Sequence, residues 1–125
     1  MPRKLEPGLA IQLIRLCLTD DLRKTKYKGH PNKYWGHCYI ASEALYHLIK
    51  RNLGFRPCYT HLPDGGTHWF LMTPCDGQIL DPTWDQFPKR ERGMWIYTNA
   101  ISCGFLTKNP SNRAKELIRR VRQRL

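Results

Sequence analysis

Apolar positions recur at helical spacing in three stretches of this chain and change to a strand period in a fourth. Over residues 7–19 (PGLAIQLIRLCLT), Leu9, Leu13 and Leu16, with Ile14 and Cys17 or Leu18, fall on one side, and Pro7 suits a first turn. A second helix is predicted from about Gly36 to Asn52, ending near Gly54. Its stripe is Ile40, Ala41, Ala44, Leu45, Leu48 and Ile49, with Glu43, His47, Lys50 and Arg51 facing away. The third, about 110–125, opens on cap residues and Pro110 and carries Ala114, Leu117, Ile118, Val121 and Leu125 on one side. From Phe55 the segments FRPCYTHL, THWFLMT and QILD read as three short antiparallel strands, because Asp-Gly and Gly-Gly pairs punctuate them. MWIYTN (94–99) reads as a further strand, and 100–106 as a packed apolar segment. The expectation is a single α+β domain over 1–125, with a central helix on a small antiparallel sheet and flanking N- and C-terminal helices.

Charge changes this picture at the two ends. The net +11 is carried by residues 1–33, with eight Lys/Arg against three acids, and by 107–125, with seven against one, while 34–106 balance six against six. A neutral centre with basic ends suits a nucleic-acid or acidic protein partner, and serves solubility equally well. The loop at 20–33 is long for so small a domain, which marks it as functional or mobile, with His30 exposed in it. No apolar run reaches the roughly 20 residues a membrane helix needs, and MPRKLEPGLA has no secretory pattern. A cytoplasmic protein without membrane partner is expected.

Five cysteines, at 17, 38, 58, 75 and 103, form an odd set without CxxC spacing, so reduced thiols are expected rather than a disulfide framework. Cys58 and Cys75 could pair across the first and third strands, but reduced thiols are expected there too. A zinc site on Cys58 and His61 lacks a second ligand pair of suitable spacing, so no metal or cofactor is expected. Cys17 and Cys103 read as structural. Cys38 differs, because it falls where a helix begins, and unpaired N–H groups and the macrodipole favour a thiolate there. His68, near the start of the second strand, and Asp81, at the end of the third, complete a Cys-His-Asp set. The imidazole takes the thiol proton and returns it to a leaving group, and the carboxylate orients the ring.

At these residues a resemblance appears. GHCYIASEAL resembles the GQCW segment of transglutaminase-like and papain-like thiol enzymes, and THWFL followed by QILDPTWDQF is similar to their H-W…D-P-T pattern, over about residues 34–87. The resemblance implies a papain/transglutaminase-like core with Cys38 as nucleophile, His68 as general base and acid, and Asp81 as orienting group. His37 stands where glutamine is common in that pattern. Oxyanion donors would be the Cys38 N–H and a side chain, with Asn32, six residues before the cysteine, or Trp35 as candidates. Trp69, Trp84 and Trp95 read as core or cleft-wall rings. The function so implied is thiol-dependent acyl transfer at an amide of a protein or other amide-bearing substrate. Water as acceptor makes a cysteine protease or deamidase, and an amine a transglutaminase. The alternative is a non-enzymatic binder of nucleic acid or an acidic protein on the same fold, and a metal-stabilised regulator is a third.

Overall fold

Helix α1 (Pro7–Cys17) starts on its proline and turns Ala10, Ile14 and Cys17 inward. In the computed structural model, which describes residues 3–49, 53–74, 76–105 and 107–125, Leu9 and Leu16 stay exposed. The expected face is kept at Ile14, Cys17 and Leu18, with Leu13 packed against the core, but it is centred on the i, i+4, i+7 set of Ala10, Ile14 and Cys17, which leaves Leu9 and Leu16 outside it. Helix α2 (Cys38–Leu48) begins at Cys38 itself. Its stripe is buried as expected, from Ile40 through Leu48, with Ile49 following, and Leu5 N–H donates to the Leu48 carbonyl at 2.8 Å. The helix ends short of the expected Asn52: Ile49 is already extended (φ −89°, ψ 164°) and bridges to Leu5, which takes the chain out of the helix, while Lys50, Arg51 and Asn52 lie outside the described residues.

The expected meander forms as β1 (Arg56–His61), β2 (Thr67–Met72) and β3 (Ile79–Leu80). A fourth strand, β4 (Ile101–Ser102), joins the other edge, giving the antiparallel order β3-β2-β1-β4. Tyr59 pairs with Trp69 and Thr60 with His68 across β1 and β2. Leu71 belongs to the core shared with α1, α2 and the C-terminal helix α4 (Asn112–Gln123). On the alternate side of the strands, Cys58, Thr60, His68 and Phe70 form a second buried layer, roofed by Ile96 and Tyr97.

That roof corrects the strand expected at MWIYTN. A short helix α3 (Lys89–Glu91) runs on into a π-helical turn over Arg92–Ile96, and its amides bond within the segment, Tyr97 N–H to the Arg92 carbonyl and Asn99 N–H to that of Trp95. With its N–H groups used locally, the segment has none to offer a sheet edge. The expected apolar packing of 100–106 is carried by Phe105, which stacks on Trp69 with ring centres 5.7 Å apart, whereas Ile101 and Ser102 are exposed and Leu106 lies outside the described residues.

Two buried charges knit the chain. Arg23, 5% exposed, donates to the carbonyls of Tyr27, His30 and Asn32, so the long basic loop is built around its guanidinium and two 3-10 turns. Glu43, expected on the solvent face of α2, is instead fully buried and accepts from Ser111 N–H at 3.0 Å and Ser111 Oγ–H at 2.7 Å. Ser111 in turn caps α4 through Ala114 N–H, so a carboxylate of α2 sits at the positive end of α4. Its burial follows from that distant partner, which helical periodicity does not register. Glu43→Ala leaves the Ser111 N–H without an acceptor in the interior and should cost roughly 1–3 kcal/mol, read as a lower urea midpoint at unchanged slope, with Glu43→Gln between it and the parent.

Candidate active site

The turn before Cys38 is fixed by a close approach. Gly36 has φ +82°, and a Cβ there would lie 2.7 Å from Cβ of Tyr27, so only glycine lets the loop turn into α2. His37, fully buried, has Lys33 O 2.8 Å from Nδ1 and Thr19 O 3.0 Å from Nε2. Burial pushes its pKa down. His37 thus ties the loop to Thr19, just past the end of α1. Cys38 follows as the first residue of α2, 8% exposed, with its sulfur 3.7 Å from the Thr67 carbonyl oxygen, beside His68.

His68 and Asp81 meet through sheet register. Leu71 pairs with Leu80, so the next position of β3's strand line, Asp81, falls beside Phe70, and His68 lies two residues further along on the same face. His68 Nε2–H donates to Asp81 Oδ2 at 2.6 Å, and both side chains are almost wholly buried. Tyr97 O–H donates to the same oxygen at 2.9 Å, while Oδ1 accepts from Thr83 N–H at 3.1 Å and Thr83 Oγ1–H at 3.4 Å. Donors therefore surround the carboxylate. Burial works to lower the His68 pKa, but the Asp81 charge and hydrogen bond, aided by Cys38, outweigh it and the net displacement is upward. Burial, then Asp81, push the Tyr97 phenol upward, keeping it a donor. With Nε2 on Asp81, His68 Nδ1 is the ring atom left for Cys38, and it has no hydrogen-bond partner of ordinary geometry among the described residues. Phe87 meets the ring edge-on at 4.9 Å.

The loop after Asp81 is held from α1. Arg15 donates to the Pro82 carbonyl at 2.8 Å and to both oxygens of Asp85, at 2.9 and 2.8 Å, and lies over the ring of Tyr34. Its guanidinium also lies near the Trp84 ring, which is 43% exposed; Trp69 is buried and Trp95 half-buried.

Cys38 opens onto a groove of about 510 Å³ walled by Tyr27, Trp35, Tyr39 and Trp69. Of the two oxyanion candidates, Trp35 lines this groove; Asn32 is not among its lining residues, and Asn32 Oδ1 closes a turn by accepting from Tyr34 N–H at 2.9 Å. His30 is exposed, as expected, and stacks on Trp35. A second, more open hollow of about 360 Å³ beside Gln12 and Arg15 holds no thiol or imidazole. Sequence reasoning missed Tyr97, Thr83 and Gln86. Gln86 is one of the residues lining the groove, while its Oε1 is buried without a partner among the described residues. Thr83, two residues after Asp81, was legible as a turn donor; Tyr97 and Gln86 carry no local signal. Cys58 is buried and His61 exposed, while Cys75, and with it the strand-bridging pair, lies outside the described residues; Cys17, Cys38, Cys58 and Cys103 are free thiols.

Because the folded His68 binds its proton more tightly than a free histidine of pKa 6.5, the stability gained is complete below that pH and is lost as pH rises through the folded value. Urea unfolding along this window should show a falling free energy for the parent, and His68→Gln should flatten that slope whatever its effect on absolute stability. Among the described residues, no helix is long and apolar enough to cross a membrane. In comparisons with protein-family models, curated proteins and solved structures, nothing matches this chain.

Proposed function

We propose that this chain is a thiol-dependent acyl-transfer enzyme acting at an amide, built on a transglutaminase-like or papain-like core. The observation that carries the reading is the His68 ring, gripped at Nε2 by a donor-saturated Asp81 and left with Nδ1 for a thiol at a helix start. In this reading the Cys38 proton passes to the imidazole, and the thiolate attacks the carbonyl carbon of a substrate lying in the groove. Negative charge on the carbonyl oxygen falls to the N–H groups of the first turn of α2, which have no intrahelical acceptor, with Trp35 beside them. His68 then returns the proton to the leaving amine, and a thioester to Cys38 remains. Water or an amine attacks that thioester, with His68 taking the incoming proton, and Cys38 is restored. Asp81 keeps the ring in the tautomer that presents Nδ1 and balances the imidazolium; Tyr97 and Thr83 keep Asp81 ionised and in place.

The test is an acylation burst. A p-nitrophenyl ester should release one nitrophenol per active chain before slow turnover, with the acyl group mapped by mass spectrometry to Cys38 and not to the part-exposed Cys103. Cys38→Ser should abolish the burst and His68→Gln should slow it by roughly 10³-fold or more. Acceleration of turnover by a primary amine identifies a transferase, and its absence a hydrolase. Acylation no faster at Cys38 than at Cys103 overturns the proposal and leaves the non-enzymatic binder.

A further inference from the structure

The sequence places the surplus positive charge at the two ends of the chain, but folding brings part of each end to the mouth of the groove. Lys24 and Lys26 come from the basic loop and Arg113 from the first turn of α4, and all three line the groove that opens on Cys38. Further along α4, Arg119 and Arg120 bind Glu116, Arg120 also binds Asp21, and Arg122 donates to the Arg3 carbonyl. Among the described residues, Lys24, Lys26 and Arg113 have no such carboxylate. Arg113 donates to the Leu22 carbonyl at 3.3 Å, which fixes its position without cancelling its charge. The single acid lining the groove is Asp64, in the β1–β2 turn, where it accepts from Gly66 N–H at 2.8 Å. A partner in this groove meets a net positive field.

Two observations choose between anionic partners. The aromatic walls have few free faces for bases: Trp35 is stacked on His30, Trp69 on Phe105, and the Tyr39 ring lies edge-on to both Trp69 and Phe105. Stacking of successive bases, which single-stranded nucleic acid requires, is thus largely pre-empted. The thiol chemistry proposed at Cys38 also calls for an amide, which a polypeptide carries and a nucleic-acid backbone does not. Resting on the acyl-transfer reading of Cys38, we propose that the groove selects acidic polypeptide segments as acyl donors, with Lys24, Lys26 and Arg113 as the specificity-determining residues. Carboxylates flanking the reacting amide meet these cations.

Two measurements test this. The first is the ratio of Cys38 alkylation rates by iodoacetate and iodoacetamide, which differ in charge at similar size. Lys24→Glu/Lys26→Glu, at two exposed positions that leave the core untouched, should lower the ratio by roughly tenfold at low salt, an effect that shrinks in about 0.5 M salt. The second is binding of a fluorescent Glu-rich peptide to Cys38→Ala protein, against a Lys-rich peptide and an oligonucleotide of similar length. The Glu-rich peptide should bind, and Lys24→Glu/Lys26→Glu should weaken it by roughly tenfold or more. An unchanged ratio, or an oligonucleotide that binds where the Glu-rich peptide does not, overturns the inference while leaving the acyl-transfer reading intact. Should Cys38 resist both reagents, the acyl-transfer reading falls, and the peptide measurement, which needs no thiol, still decides for or against the groove.

Discussion

A carboxylate carried into a protein interior is tolerated only where donors saturate its oxygens and a positive group stands beside it. Asp81 meets both conditions: its two oxygens receive His68, Tyr97 and Thr83, the last through both backbone and hydroxyl. Much of the second buried layer follows from that requirement. Tyr97 has to come down onto the sheet, which the π-helical turn achieves, and Thr60 of β1 holds that turn by donating its hydroxyl to the Ile96 carbonyl. The loop bearing Asp81 has to stay in place, and the Arg15 clamp on Pro82 and Asp85 is what holds it. Helix α1 is thereby coupled to the candidate site without contributing a reactive group to it.

The same pair gives the proposed chemistry its electrostatic starting point. A neutral imidazole enclosed by Phe70 and Phe87 would be held low by burial alone; the buried carboxylate reverses the direction, so the proton prefers the ring. The Cys38 thiol, on the first residue of α2, lies beside that ring.

What the sequence made legible was local. Cys38 at a helix start, the Asp-Gly and Gly-Gly turns that divide β1, β2 and β3, and the capped, one-sided α4 are all written in short windows, and each is found. The meeting of His68 with Asp81 was readable because strand spacing alone brings them together. What stayed hidden depends on partners far along the chain. Glu43 sits on the polar positions of its helix, and it is Ser111, 68 residues away, that among the described residues gives its carboxylate a reason to be inside. Arg23 looks like one cation among many until its guanidinium is seen collecting three carbonyls. The aromatic, β-branched character of MWIYTN reads as strand, and the need of Asp81 for a phenol overrides that preference. Leu9 and Leu16 were assigned to the core by hydrophobicity, whereas the face of α1 turned inward is centred on Ala10, Ile14 and Cys17.

The Glu43–Ser111 contact also bears on how the polypeptide holds together. The last helix is not an appendage on a finished domain, since losing it would strip the buried Glu43 of both donors and uncover Leu117 and Val121 along with the aliphatic seam they close. Nor can the central helix be ordered cheaply in its absence, because the same carboxylate would face hydrocarbon alone. Melting is therefore expected as one all-or-none event in which thiol, imidazole and C-terminal cations are released together, rather than as a stable middle shedding loose tails.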